Sequence, residues 1–311
     1  MTNDLISVII LTYKHEEYLF ETIDSVLSQN YPHIEIVIAE DGDPSFDREA
    51  VESYLDKNAG LNIKNVVFSI NKENMGTVKN INNAIQKSSG KYIKIIAGDD
   101  TYPNKEVFSK QIGSLCTAPL ALLVVGNMNE CDSKMIKKYE VGFEYESNEC
   151  LDNRELLLRV ITREKPQLLS TQTICFRKEY FEKHGVFDEN FKLIEDLPMA
   201  VKIVTQNIKF SYINFPCVNH RGTVGVSSTK NPFDKKRLPY YKDLKRYFED
   251  ILKPYSGIVG KQYVKMRIEM YDFRIKYTEI EDSPFKYFKR IALILRYFCP
   301  IFYYFLERII T

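Results

Sequence analysis

The chain has no tryptophan, only four histidines and no cysteines at paired spacing. Its six cysteines, Cys116, Cys131, Cys150, Cys175, Cys217 and Cys299, are scattered without a Cys-x-x-Cys pair. Neither a zinc cluster nor a disulfide framework is therefore expected, and the thiols read as reduced cytosolic ones. Glycine-rich phosphate loops are missing too. The first apolar run is followed by Thr12-Tyr13-Lys14-His15, and no Gly-x-x-x-x-Gly-Lys occurs, which excludes the dinucleotide fingerprint and the P-loop. No basic-then-apolar leader precedes Ser7, so export is not expected. A net charge of +1 gives no reason to expect a nucleic-acid partner.

That near-neutral total is unevenly spread. Residues 231–311 carry 17 Lys and Arg against 10 Asp and Glu, while residues 1–230 carry 26 against 32. An acidic body with a basic tail follows. The body is expected to span residues 1–230, in two halves at 1–103 and 104–230, and the extension residues 231–311.

Apolar runs and helical spacing alternate along the first third. Ile6–Leu11, Ile34–Ala39, Val66–Ile70 and the run from Tyr92 toward Asp99 read as strands. Between them, Glu16–Asn30, Asp47–Lys57 and Thr77–Lys87 read as helices, so a mostly parallel α/β sheet is expected. Further on, Leu120–Val125 and Thr171–Phe176 read as strands and Met135–Phe143 as an edge element. Val107–Leu115, Asn153–Thr162 and Lys178–His184 read as helices.

Several apolar runs stop on acids. Gly98 precedes Asp99-Asp100, the second strand runs into Glu40-Asp41-Gly42-Asp43, and Glu195-Asp196 precedes another helical stretch. Ligands of open α/β sheets bind at the carboxyl ends of the strands, so the first two groups lie where a site would be. Two carboxylates there can hold an anionic ligand through a divalent metal. Each also has a plain reading: Asp100 or Asn104 as a helix N-cap, Asp41 as an Asp-Gly turn, Asp196 as a carboxylate at a helix amino terminus.

In ordered combination these segments resemble the inverting nucleotide-sugar glycosyltransferases of family 2, which have the GT-A fold. The similarity covers about residues 5–230. It rests on Ser7–Tyr13, Glu40-Asp41-Gly42, Asn74-Met75-Gly76 with Asn82, Gly90–Ile93 through Asp99-Asp100 to Pro103, and Gly185–Glu189 followed by Glu195-Asp196. It implies a GT-A fold, a Rossmann-like, mostly parallel sheet flanked by helices, here with a C-terminal helical extension. It also implies a nucleotide site of Thr12, Tyr13, Asp41, Asn82 and Asp99. Asp41 would accept the N3 proton of a uracil, and Lys79 would approach the diphosphate or else lie on a solvated helix face. Tyr13 would stack on the base or else be a core aromatic.

By the same resemblance Asp100 binds Mn²⁺ or Mg²⁺, with His220 as a further metal ligand or a hydrogen-bonded bystander. Asp196 is the catalytic base with Glu195 beside it, and Arg221, in a polar loop at 219–228, neutralises the leaving phosphate. Two departures from the family pattern bear on donor detail. Ala97 stands two places before the aspartate pair where many relatives have Asp, and Ile81 stands where relatives often have Arg.

The expected activity is sugar transfer with inversion from a UDP-linked donor to a glycan or a polyprenyl-diphosphate-linked glycan, in bacterial surface-polysaccharide synthesis. The rival from another class is a catalytically silent nucleotide-sugar or glycan-binding protein at the membrane. A nucleotidyltransferase would be expected to carry a glycine- and basic-rich loop after the first strand, where Thr12–His15 stands. In the extension, Tyr240, Tyr241, Leu244, Tyr247, Phe248 and Ile251, then Tyr263, Met266, Met270, Phe273 and Tyr277, have helical spacing and are expected to cover the catalytic domain. The segment Pro284–Ile310 is aromatic and basic, but Arg296 and Pro300 interrupt it short of the ~18 apolar residues of a spanning helix. It reads either as an amphipathic membrane-surface segment or as a packing element, and the location as cytoplasmic.

Overall fold

The computed structural model describes residues 3–14, 16–143, 152–222, 231, 233–280, 287–294 and 297. It divides into two compact units, Met1–Gly222 and Thr223–Thr311, where the sequence suggested a boundary at 230.

In the first unit, β1 (Ile6–Thr12), β2 (Ile34–Glu40), β3 (Ile63–Ile70) and β4 (Tyr92–Ala97) run parallel. They are linked by α1 (Glu16–Leu27), α2 (Arg48–Asn58) and α3 (Thr77–Lys87). α4 (Val107–Thr117), β5 (Leu123–Cys131), β6 (Lys137–Val141), β7 (Ile174–Arg177) and β8 (Phe210–Arg221) follow, with further helices at Arg154–Arg159, Lys178–His184 and Asp196–Thr205. The sheet order is β3-β2-β1-β4-β7-β5-β6, and β8 pairs with β5. β7 is antiparallel to both β4 and β5, whereas β8 is parallel to β5.

β1 and β2 are covered on both faces, which is why both are mostly Val and Ile, with Ser7 and Glu35 the buried polar exceptions near their starts. Below one face, Ile6, Val8 and Ile10 pack with Leu19, Ile23 and Val26 of α1 and with Phe108, Ile112 and Leu115 of α4. Full burial of each such side chain contributes about 1.5–3 kcal/mol.

Three expectations need correction. Leu120 is exposed in a turn and the strand starts at Leu123, so its apolar run straddles the boundary. Thr171–Thr173 forms a 3₁₀ turn before β7, not part of the strand. Most consequentially, Asn219, His220 and Arg221 belong to β8, whose Phe210–Arg221 run went unrecognised because polar residues and Pro216 mask its periodicity. Of the polar loop expected at 219–228, residues 223–228 lie outside the described residues.

In the second unit, the helices Leu238–Arg246 and Lys261–Glu279 pack through aromatic rings. Arg267 lies over the rings of Phe248, Tyr263 and Tyr271 at 5.2–5.8 Å, and Asp272 joins Lys245 (3.3 Å) and Lys276. Of the expected tail segment, 287–294 and 297 are described. Tyr287, Phe288, Ile291 and Ile294 are exposed along that helical stretch. Among the described residues no helix is long and apolar enough to cross a membrane.

Candidate active site

The parallel register sets Thr12 beside Glu40 and Leu11 beside Ala97, so the chain leaves β1, β2 and β4 at one level. Gly98 lies against β1, donating its N–H to Leu11 O at 2.7 Å. A Cβ there would stand 2.8 Å from that same oxygen, so the close approach needs glycine. Thr12 is buried at the strand end, and Tyr13 after it is exposed, with Lys14 Nζ 5.0 Å from its ring centre.

The acidic turn after β2 has a division of labour. Glu40 folds onto its own turn, accepting from the N–H groups of Gly42 (3.0 Å) and Asp43 (2.6 Å), while burial lifts its pKa. Asp41 reaches across to the next loop. Its Oδ1 accepts from Met75 N (2.9 Å) and Asn71 Nδ2 (3.0 Å), and its Oδ2 accepts from Gly76 N (2.9 Å). Asn71 in turn binds Asn80 and accepts from Asn83, and Asn80 donates to Ala39 O. The Asn74-Met75-Gly76 loop is thus fastened to the end of β2, and Asp41 is turn residue and loop anchor together.

One sequence-predicted donor contact sits elsewhere. Asn82 is wholly buried and its amide is fully used: Nδ2 donates to Phe187 O (2.9 Å) and Glu189 Oε1 (3.1 Å), and Oδ1 accepts from Phe187 N (3.1 Å). It staples α3 to the segment leading to Glu195 and is not presented to a nucleotide. Lys192 O accepts from Val78 N, and a Cβ on Gly76 would strike Lys192, so the same segment covers the start of α3. Lys79 is half-buried in the first turn of that helix.

Asp99 is half-buried and Asp100 is buried. Neither Asp100 nor Asn104 caps α4, which begins after Glu106. Asp100 Oδ1 instead accepts the N–H of Arg221 at 2.7 Å, joining β4 to the end of β8. An isolated bridge, Thr101 N to Asn219 O (3.2 Å) and Asn219 N to Thr101 O (2.8 Å), fixes the same junction. Burial and the Asp99 charge push the Asp100 carboxyl up to about 7, opposed by His220, the Arg221 N–H and the Gln172 amide.

His220 is partly exposed, with Nδ1 3.0 Å from Glu130 Oε2. Burial alone would lower its pKa, but Glu130, Asp100 and Asp99 outweigh that and raise it to about 9. Glu130 engages Nδ1 and leaves Nε2 as the nitrogen a metal would use, so this contact serves either reading of His220. Arg221 is buried inside the wall of the site. Its guanidinium donates to Asp99 O (2.8 Å), Ser133 O (2.6 Å) and Glu21 Oε2 (2.6 Å), and lies 4.3 Å from the centre of the Tyr18 ring. It holds backbone rather than facing a phosphate, which corrects the expectation drawn from a flexible loop.

Glu195 stands at the N-cap of the helix Asp196–Thr205, and Asp196 Oδ1 accepts Leu197 N at 2.8 Å. Both are half-buried, and desolvation raises both carboxyls, Glu195 further because of its charged neighbour. Neighbouring carboxyls that raise each other titrate as a pair, so the two protons come off in separate steps.

The Thr171–Thr173 turn joins the two acid pairs, with the Thr171 hydroxyl beside Glu195 and the Gln172 amide beside Asp100. Sequence reasoning missed Thr171, Gln172 and Glu130, since nothing local distinguishes them.

Among the described residues no group of three or more His, Cys, Asp or Glu is arranged around a metal position. Asp99 and Asp100 nonetheless fit a divalent ion. The Asp100 carboxyl is strained upward by burial, and Gln172 Oε1 near it is buried without a hydrogen-bond partner. Two hard oxygen ligands match Mg²⁺ or Mn²⁺ when phosphates supply the rest.

A mostly parallel sheet flanked by helices, with carboxylates at its strand ends, defines a GT-A fold. Residues 7–184, more than half of the chain, match the profile described as Glycosyl transferase family 2, and the chain belongs to that family. EpsJ of Bacillus subtilis, an uncharacterized glycosyltransferase, is 26% identical over 196 residues, 62% of this chain and 54% of that protein. TuaG of Bacillus subtilis, whose name assigns it to teichuronic acid biosynthesis, is 31% identical over 114 residues, 36% of this chain and 43% of that protein. The chain spans a little over half the length of the first curated relatives it matches. Among solved structures, S. aureus TarS 1-349 in complex with UDP-GlcNAc superposes with a TM-score of 0.59 at 19% identity, covering 93% of this chain and 79% of that one. The mannosyltransferase PcManGT of Pyrobaculum calidifontis with GDP-Man and Mn²⁺ gives 0.57 at 15% identity, covering 96% and 76%. At such identities these two speak for the fold alone.

Proposed function

We propose that this protein transfers one sugar, with inversion, from a UDP-linked donor to a hydroxyl of a glycan or polyprenyl-diphosphate-linked glycan in surface-polysaccharide synthesis. The observation that carries this reading is the pair of acid sites flanking one turn: Asp99 and Asp100 at the sheet's strand ends, and Glu195 and Asp196 at a helix start. The first suits a metal-bound diphosphate and the second suits an acceptor hydroxyl.

In the transfer the acceptor oxygen bonds to the anomeric carbon while that carbon's bond to the diphosphate breaks. Asp196 takes the acceptor proton, and the nucleoside diphosphate leaves with its electron pair. A single base suffices for inversion, and the raised pKa of the Glu195–Asp196 pair makes that base stronger near neutral pH. Asp100 and Asp99 would hold Mn²⁺ or Mg²⁺, which supplies positive charge to the departing diphosphate. Thr12 and Tyr13 lie where a base and ribose would meet the ends of β1 and β2. Asp41 has a lone pair on Oδ2 left for the nucleobase after its loop contacts. His220 takes the place of Arg221 as the cation beside Asp100. UDP is favoured because TarS was solved with UDP-GlcNAc and with UDP, and Mn²⁺ because PcManGT was solved with it. Surface polysaccharide as the product follows the name of TuaG.

The exposed Tyr287, Phe288, Ile291 and Ile294, with Lys289 and Arg290 among them, support a membrane-surface role for the tail, at the inner face of a cell membrane. A panel of nucleotide sugars with Mn²⁺ or Mg²⁺ tests the activity. Donor-dependent transfer that falls about 10²–10⁴-fold in Asp196→Asn is expected. Donor binding without any turnover would identify a silent nucleotide-sugar-binding protein instead.

A further inference from the structure

β4 is apolar except at Lys94, whose side chain is completely buried. Burying an ammonium group is costly unless it is well paired; among the described residues Lys94 forms no ion pair, and burial lowers its pKa. Its surroundings are the Cys175 and Cys217 thiols and the Tyr102 ring, 5.7 Å from Nζ. Its hydrogen bonds are specific. Nζ donates to the carbonyls of Gln172 (2.6 Å) and Ile174 (3.3 Å). From α4, the wholly buried Gln111 donates Nε2 to the carbonyl between them, Thr173 O, at 2.9 Å. Three consecutive carbonyls leading from the turn into β7 are therefore gripped by two buried side chains.

The side chains of this same turn meet both acid pairs. Thr171 lies beside Glu195 and Gln172 beside Asp100. Thr171 Oγ1 and Gln172 Oε1 are buried and lack a well-formed hydrogen bond among the described residues, so beyond their approach to the two acids nothing fixes these side chains directly. Their positions follow from the backbone, and the backbone is held by Lys94 and Gln111. A leucine or methionine at position 94 would fill the same space at far lower desolvation cost but could hold no carbonyl.

We propose that Lys94 is a positioning residue for transfer: by holding the Gln172 and Ile174 carbonyls it sets the Thr171–Thr173 turn, and through it the separation of Asp100 from Glu195. The catalytic consequence rests on the function proposed above, while the structural one does not. Sugar transfer requires the acceptor's base and the diphosphate's ligands to lie at a fixed spacing about the anomeric carbon, and a shift of about 1 Å costs on the order of a hundredfold in rate.

The test is Lys94→Met in the full chain, read by amide hydrogen exchange and by transfer kinetics. Exchange at Gln172, Thr173 and Ile174 is expected to rise at least tenfold while β1–β3 stay as in the wild type. The kcat should fall at least tenfold with the donor KM changed less than threefold. Combining Lys94→Met with Thr171→Val should cost less than the product of the single losses, since both act through one turn. Unchanged exchange in the turn, full additivity, or a raised KM at normal kcat would overturn the proposal. If Lys94→Met does not fold, Thr171→Val alone decides: it should lower kcat at unchanged KM and move the acid limb of the kcat profile, and a wild-type profile overturns the proposal. A wild-type protein inactive with every donor would defeat the proposed function, and the exchange measurement would still decide the role of Lys94.

Discussion

Asp41→Asn separates a residue that anchors a loop from one that only meets a nucleobase. The carboxylate accepts three hydrogen bonds, two of them from backbone N–H groups of Met75 and Gly76. Asparagine can keep Oδ1 in place for Met75 and Asn71, but it turns an N–H toward the Gly76 N–H where Oδ2 had accepted. One charge-assisted bond worth about 1.5–3 kcal/mol is lost, and a buried donor is left unpaired, for a total of about 2–4 kcal/mol. The loop has little freedom to relax, because Gly76 is at φ +90° against Lys192 and a Cβ on Gly42 would overlap the backbone of Glu73. Urea unfolding of the full chain, followed through the transition of the first unit, measures the loss. Amide exchange at Met75 and Gly76 locates it. A change under about 0.5 kcal/mol with unchanged protection at both amides would refute the anchoring argument. Weakened stability with unchanged UDP affinity would keep the anchor and remove the base contact.

Other expectations follow from the same geometry. Because the Glu195–Asp196 pair is raised, its base form is lost as pH falls, so kcat should climb through neutral pH toward the alkaline side; a flat profile from pH 5 to 9 would place the base elsewhere. Asp100→Asn should abolish Mn²⁺-dependent UDP binding yet raise stability without metal, more at pH 8 than at pH 5. The reason is that a carboxyl lifted to about 7 ionises at a cost on folding above its ordinary value; a lower melting temperature at pH 8 would contradict this. The His220–Glu130 pair contributes stability fully present below pH 6.5 and lost as pH rises through about 9. Discounted for a side chain 32% exposed it amounts to about 1 kcal/mol, so His220→Gln should flatten stability over that window and leave it unaltered only if the pair is absent. Deleting residues 284–311 should release the protein from anionic vesicles and abolish a salt-sensitive interaction, while donor hydrolysis persists; an insoluble product would make the tail a packing element.

Local pattern alone determined the first four strands, their intervening helices and the acids at the strand ends. Strands rich in Val and Ile are expected where a parallel strand is covered on both faces, and Gly98 is forced where β4 touches β1. The ordered motifs carried the family and the GT-A fold. What the sequence could not disclose depended on partners far away along the chain. Asn82 looks like a nucleotide contact until Phe187, 105 residues on, takes its amide. Arg221 looks like a phosphate ligand until β8 pairs with β5 and turns its guanidinium onto Asp99, Ser133 and Glu21. The turn at Thr171–Thr173 has no periodicity of its own, and only the sheet brings Lys94 beneath it and two acid pairs to its side chains. Periodicity reports which face of an element is buried; which buried polar group meets which is decided by register and packing between elements.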